Sequence, residues 1–200
     1  MSVGSWKAAT TTPLYLTTDA LLLLGCTIPS LAAGRRWLLD SRARRRLHPL
    51  WTAVYRANPD IALFSRETRP ELRLQLYRQV IEIRDGQLAL RPFLDPRAAQ
   101  ISRRLGHEAG LPEPDIAAIS EAATLAAAIT AKIQGQPPHP PYPDPPTPRG
   151  GTDLATEIAW LQQVSRAFTN SPIVADTVRM LTDTTATDHP TEQLDGKIPP

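Results

Sequence analysis

Apolar residues are densest near the amino terminus, where the chain reads PLYLTTDALLLLGCTIPSLAA from Pro13 to Ala33. Asp19 is the only charged residue in this run. A helix over the run would be about 31 Å long, which just matches the hydrocarbon core of a bilayer. The insertion energies of its leucines and isoleucine sum to about −3 kcal/mol, which Asp19, Gly25 and Pro29 can offset. The pattern therefore predicts a membrane-spanning helix of marginal hydrophobicity.

Arginines follow the apolar run closely. Four of them lie in SRARRRLHPLW, from Ser41 to Trp51. Positive charge near the end of a spanning helix stays on the cytoplasmic side, where it attracts anionic lipid. The residues predicted to form such a collar are Arg35, Arg36, Arg42, Arg44, Arg45 and Arg46. The sequence therefore predicts a cell-membrane location, a cytoplasmic carboxyl-terminal domain and contact between the collar and membrane lipid.

Three alternatives compete with membrane insertion. A secretory signal would need a more basic start than MSVGSWKAATTT and a small residue where SLAAG has its leucine. An arginine-rich helix can contact nucleic-acid phosphates, but no helix-turn-helix, zinc-finger or RNA-binding signature accompanies this one. The apolar run can also be a buried helix of a soluble protein whose charged end faces solvent. Insertion remains the favoured interpretation because arginines beside an apolar helix are typical of a membrane collar.

Helical spacing of apolar residues continues beyond the arginines. His48 and Pro49 open a short predicted helix that Pro59 closes. The segment RPELRLQLYRQVIEIRDGQLALRPFL has two adjacent apolar stripes, which predict a central helix that is covered from two sides and runs to about Arg91.

Cap signals mark the remaining helices. Asp95 and Pro96 predict the start of a helix that Gly110 ends. The alanine-rich segment EPDIAAISEAATLAAAITAKIQG predicts a long, closely packed helix that ends at Gly135. Two more cap signals precede LATEIAWLQQVSRAF and IVADTVRML. Because no segment alternates like a strand, the fold class is all-α: the apolar helix, followed by a bundle of about five to six helices.

The predicted domain organisation follows these patterns. Residues 1–39 form the amino-terminal segment with the candidate transmembrane helix, and residues 40–181 form the helical cytosolic domain. The proline-rich sequence QPPHPPYPDPPTPRGG, residues 136–151, can hold neither a helix nor a ladder and predicts an extended connector within that domain. The polar, threonine-rich residues 182–200 are predicted to be a disordered tail.

Composition and motifs limit the kinds of chemical activity that we expect of this chain. The 200 residues have a formal net charge of only +2, so the basic character is local to the collar. The single cysteine, Cys26, excludes an intramolecular disulfide. The four histidines lack metal-ligand spacing, and no phosphate-binding loop, nucleophile elbow or dinucleotide motif occurs. We therefore expect no enzymatic activity, no catalytic residues, no cofactor and no metal site.

One polar cluster lies on the predicted central helix, in YRQVIEIRDG. Arg78 and Glu82 are four residues apart and can pair along one face, whereas Glu82 and Asp85 repel each other unless an arginine such as Arg84 lies between them. These four residues are a candidate structural ion-pair cluster. A solvated helix face explains them equally well.

Several motifs resemble, in the same order, the carboxyl-terminal region of an actinobacterial family of candidate membrane transporters. They are RRLHPLW, LYRQVIEIRDGQLALRPFLDP, AAAITAK, DLATEIAWLQQVSRAF and SPIVA, and the similarity extends from about Leu21 to Ala175. In that family, several transmembrane helices precede a cytosolic helical region that is itself a domain of unknown function. The resemblance implies a truncated chain, with the last transmembrane helix and that domain but without the helices that a transport pathway needs.

These observations predict a non-enzymatic, membrane-tethered helical domain with an interaction or regulatory role. Its expected partners are membrane lipid and a protein partner or a full-length relative, while nucleic acid is disfavoured and any small-molecule ligand is unknown. One alternative is a soluble helical regulatory or nucleic-acid-associated protein that uses the arginines directly. The other is a degenerate fragment that pairs with a full-length relative.

Overall fold

The computed structural model describes residues 6–59, 71–139, 150 and 153–188, with side chains for all of these except 6–30, 32 and 185–188. Within these residues all regular secondary structure is helical and there is no strand, which confirms the predicted all-α class. The six α-helices are α1 Trp6–Ala57, α2 Leu72–Ala89, α3 Pro96–Glu108, α4 Glu113–Ile133, α5 Leu154–Asn170 and α6 Pro172–Asp188, and a short 3₁₀ helix spans Arg91–Phe93. The chain divides into two compact units, residues 1–42 and residues 43–200.

The first unit contains the amino-terminal part of α1. The predicted membrane span, Pro13–Ala33, is helical throughout. The side chains of residues 13–30 lie outside the described residues, so the packing of most of that span stays a prediction.

In the second unit, α1 passes through Pro49 without a break, so the helix start expected there is wrong. Leu47, Leu50 and Val54 are fully buried, at spacings of three and four residues that keep the apolar stripe in phase across the proline. An interior proline costs about 3 kcal/mol, whereas burial of each large aliphatic side chain contributes about 1.5–3 kcal/mol. The buried stripe therefore outweighs the proline.

The centre of the second unit is α4, which packs against α3, α5 and α6. The prediction that α2 is the central helix is wrong. Its first apolar stripe is buried at Leu76, Val80 and Ile83, but Leu74 and Tyr77 of the second stripe are exposed. The physical reason is side-chain size. Alanines of α4 lie on several of its faces and let neighbouring helices approach closely. Larger side chains on α2 occupy the outer layer instead.

The helix boundaries agree with the cap signals. Asp95 accepts a hydrogen bond from the Arg97 backbone N–H at 2.8 Å and begins α3, and Asp153 forms a capping box with Thr156 at the start of α5. Gly110 adopts a φ of 66° just after α3, a conformation that glycine adopts without strain.

The last helix, α6, extends to Asp188 and therefore beyond Leu181, where the disordered tail was expected to begin. Leu181 is buried against Ala98 of α3 and Ala127 of α4. The hydroxyl of Thr184 donates to the Met180 carbonyl at 2.8 Å, so this threonine satisfies its own polar group within the helix. Residues 189–200 and most of the proline-rich connector, 140–149 and 151, lie outside the described residues.

Candidate functional site

A partly buried ion-pair cluster joins three helices of the second unit. Arg84 of α2 donates from Nε to Glu157 Oε1 of α5 at 2.5 Å, and its Nη1 lies 3.2 Å from Glu121 Oε1 of α4. The three side chains are at most 20% exposed. Ion pairs in such surroundings are screened by solvent much less than surface pairs are. Removal of one partner would leave a buried charge uncompensated.

The carboxyl group of Glu121 is affected by its burial on α4. Its burial raises the pKa of the carboxyl group, since the charged form loses solvation. Trp160 Nε1 donates to Glu121 Oε2 at 2.9 Å, and Gln87 Nε2 donates to Oε1 at 3.3 Å. Together with Arg84, these donors lower the pKa and partly offset the effect of burial.

The four residues predicted as an ion-pair cluster are not brought together as one group. Arg84 pairs with carboxylates of α4 and α5, whereas Glu82 Oε2 accepts a hydrogen bond from Trp51 Nε1 of α1 at 2.7 Å. Arg78 and Asp85 form no ion pair with any residue that the structure describes.

Sequence reasoning missed Glu121, Glu157 and Trp160. The signal for Glu121 was nonetheless present, because it is the one charge in the middle of the alanine-rich segment that becomes α4. A charge on an otherwise apolar helix requires a partner if that helix is buried.

The cluster borders a cavity of about 650 Å³. Its wall is mainly apolar, and its largest apolar side chains are Val80, Ile81, Leu88, Leu94 and Leu125. Charged side chains from α2, the 3₁₀ helix and α3 also line it, at Asp85, Arg91 and Arg103. An apolar wall with a few polar groups is typical of small-molecule sites, in which the wall provides contact area and the polar groups fix orientation.

Gly150 approaches this cavity from the connector. A Cβ atom at this position would lie very close to the Glu157 carboxylate, so a larger residue here would require the Glu157 side chain to shift. Gly150 is itself part of the cavity wall.

A second candidate surface lies in the first unit. Every side chain that the structure describes from Leu31 to Leu39 is exposed. The large apolar ones are Leu31, Trp37, Leu38 and Leu39, with exposed fractions of 72%, 59%, 48% and 52%. Arg35 and Arg36 lie among them and are also exposed. We call residues 31–39 the exposed apolar segment.

The remaining collar arginines differ in their surroundings. Arg42, Arg44 and Arg45 are exposed. Arg46 donates from Nη1 to Gln162 Oε1 at 3.3 Å, and its backbone carbonyl accepts from Ser165 Oγ at 2.7 Å. Arg46 therefore also anchors α5 within the second unit, while the role of the collar in lipid contact stays a prediction.

Among the described residues, one helix is long and apolar enough to cross a membrane, and it is α4. In its most apolar stretch, 61% is buried within the protein. The core helix of a soluble domain has the same properties, and the packing of α4 against three other helices favours that interpretation. The described residues contain no group of three or more histidine, cysteine or carboxylate side chains that could hold a metal ion.

Comparison with known proteins gives one match. Residues 36–171 match a family of unknown function, DUF6545, over more than half of the chain. No curated protein and no solved structure matches. The expected domain of unknown function is thus confirmed, while the transporter relation, the actinobacterial origin and the truncation stay predictions. The chain belongs to the DUF6545 family.

Proposed function

We propose that the chain is a non-enzymatic, membrane-tethered protein whose amino-terminal helix inserts in the cell membrane and whose helical domain works in the cytoplasm. The observation that carries the proposal is the exposed apolar segment. Water contact costs about 1.5–3 kcal/mol for a large apolar side chain relative to burial. A bilayer covers Leu31, Trp37, Leu38 and Leu39 without any further protein.

The polar residues of the same region fit a bilayer boundary. Tryptophan is enriched at the level of lipid headgroups, which suits Trp37. Arg35 and Arg36 can extend their charged ends to the headgroups while their aliphatic stems stay in apolar surroundings. Each arginine near an anionic leaflet adds about 1 kcal/mol of attraction. The collar thus supports a cytoplasmic carboxyl-terminal side.

The helical domain is proposed to interact with a protein partner, such as a full-length relative from the transporter family. The resemblance of the chain to the cytosolic end of such transporters supports this part. The proposed lack of enzymatic activity rests on the sequence, in which no motif for nucleophilic, metal or phosphoryl chemistry occurs.

Fractionation of the tagged full-length protein tests the tether. We expect the protein to stay in the membrane pellet through high-salt and alkaline carbonate washes, and a carboxyl-terminal reporter to lie in the cytoplasm. Release by salt alone would contradict insertion and leave only electrostatic lipid contact. A soluble protein that binds random DNA in a salt-dependent manner would instead support the nucleic-acid alternative.

A matched pair of variants sharpens the test. The double variant Trp37→Asp with Leu38→Asp places two charges in the exposed apolar segment, so we expect most of the protein to leave the pellet. Leu74→Asp changes a similarly exposed leucine on α2 and should stay membrane-bound. Equal retention of both variants would contradict the assignment of residues 31–39 to the bilayer boundary.

A further inference from the structure

The cavity of the second unit has charged groups that its own ion pairs do not neutralise. Arg84 pairs with both Glu121 and Glu157, so its charge is already used within this cluster. Arg91 lines the cavity, and its side chain makes no hydrogen bond or ion pair with any described residue. Its charge is available to a ligand.

Arg103, on α3, is the second available cation. Its ion pair with Glu113 is 3.8 Å long, and the two side chains are 42% and 57% exposed. Exposed pairs of this kind contribute about 0–1 kcal/mol, so the contact does not hold Arg103 firmly. Among the described residues that line the cavity, Asp85 is the one carboxylate outside the Arg84 cluster. The described wall thus carries three arginines and three carboxylates, and Arg91 and Arg103 are the cations that the Arg84 cluster does not use.

We propose that this cavity binds an amphipathic organic anion, with its apolar body against the aliphatic wall and its carboxylate on Arg91 and Arg103. The volume of about 650 Å³ lies within the range of small-molecule sites. Val80, Leu88 and Leu125 provide apolar contact area. Arginine is the side chain best suited to a carboxylate because its planar fork can donate two parallel hydrogen bonds.

Asp85 is the one carboxylate of the described wall without an ion pair among the described residues, whereas the other two are already bound and do not favour a cationic ligand. Glu121 already accepts hydrogen bonds at both carboxylate oxygens, from Arg84, Gln87 and Trp160. Glu157 is bound by Arg84 as well. A cation would have to compete with these donors, whereas an anion meets an arginine that has no partner among the described residues.

The inference goes beyond the proposed tether and is independent of it. Titration of the full-length protein in lipid nanodiscs tests it, with empty nanodiscs subtracted. If the protein is soluble, the same titration runs in buffer, so failure of the tether leaves this test intact.

The probes are phenylbutyrate, phenylbutanol and phenylbutylamine, which share an aromatic ring and chain but differ in head-group charge. We expect saturable binding of phenylbutyrate that is about tenfold tighter than that of the alcohol, since a charge-assisted hydrogen bond is added. Tighter binding of the amine, or no saturable binding of phenylbutyrate, would overturn the proposal.

Variants locate the binding. Arg91→Gln and Arg103→Gln should each weaken phenylbutyrate binding about tenfold and leave phenylbutanol binding unchanged. Arg104→Gln is the matched control, because Arg104 is an exposed neighbour on α3 that pairs with Glu108 and does not line the cavity. If Arg91→Gln and Arg104→Gln bind phenylbutyrate equally well, Arg91 does not hold the anion and the proposal is wrong.

Discussion

Two apolar stretches of this protein have opposite surroundings. In α4, thirteen of the side chains from Ile116 to Ala131 are buried by other parts of the protein. In the exposed apolar segment of α1, every described side chain from Leu31 to Leu39 is exposed. Both stretches are apolar, and in α4 the neighbouring helices of the second unit provide the cover.

Apolarity alone therefore does not determine whether protein or lipid covers a helix. The side chains of α4 are mostly small, which allows three helices to pack around it. The exposed apolar segment instead combines leucines and a tryptophan with arginines, a composition typical of a membrane boundary. A helix that is apolar enough to insert is therefore buried in protein, while a shorter segment lies exposed.

Charge insertion should separate the two stretches most strongly. Ala122→Asp places a carboxylate at a fully buried position of α4, so we expect a loss of about 3–5 kcal/mol in the free energy of unfolding. Ala33→Asp makes the same change at a position that is exposed in the protein, so the free energy of unfolding of the helical domain should fall by less than about 0.5 kcal/mol, while membrane retention should decrease. Chemical unfolding followed by circular dichroism measures the free energy of unfolding of both variants. Similar losses would contradict the different surroundings of the two stretches.

Truncation of leucines within α1 should give the next largest difference. Leu47 is fully buried, so Leu47→Ala should lower the free energy of unfolding by about 2–5 kcal/mol. Leu39 is exposed, so Leu39→Ala should change it by less than about 0.5 kcal/mol. Membrane retention, in contrast, should fall more in Leu39→Ala than in Leu47→Ala. A larger stability loss from Leu39→Ala would mean that protein, not lipid, covers Leu39.

A methyl group added at two glycines should have a smaller effect. At Gly106 of α3, a Cβ would lie 2.9 Å from Ile116 Cγ1 of α4, so Gly106→Ala should destabilise the fold by about 1–2 kcal/mol. At Gly34 nothing lies within 4 Å, and alanine should stabilise the helix by up to about 1 kcal/mol. The melting temperatures of both variants show whether each substitution stabilises or destabilises the fold. A stabilising Gly106→Ala would contradict close packing around α4.

The pH dependence of Glu121 should be the most subtle difference. Because burial raises the pKa of Glu121, the folded protein retains this proton over a pH range in which the unfolded chain has lost it. The resulting stabilisation is complete below the pKa of the unfolded chain and disappears as the pH rises through the folded value. Glu121→Gln removes this dependence, so its stability relative to the parent should increase with pH. A pH-independent difference between the two melting temperatures would contradict a buried, titrating Glu121.

Much of the fold was predictable because helix boundaries depend on neighbours in sequence. Asp95 and Asp153 cap helices through backbone N–H groups two or three residues away, and Gly110 follows a helix with a positive φ. The continuation of α1 through Pro49 was not predictable in the same way. It depends on the burial of Leu47 and Leu50 by other helices, whereas the sequence pattern alone predicts a helix boundary at a proline.

The candidate site was far less predictable. Arg84 and Glu82 were singled out from their spacing on α2, yet their partners are Glu121, Glu157 and Trp51 on other helices. The cavity likewise combines side chains from several helices, so no local sequence pattern predicts it.

The all-α class, the caps, the apolar stripes and the local concentration of arginines follow from the sequence alone, since each depends on residues within a few positions of one another. The central position of α4 and the exposure of the second stripe of α2, including Leu74, depend on how the helices pack. The same is true of the pairing of Arg84 with carboxylates 37 and 73 positions away. The physical reason is that packing selects which apolar faces meet, and a buried charge then pairs with whichever groups that packing brings near.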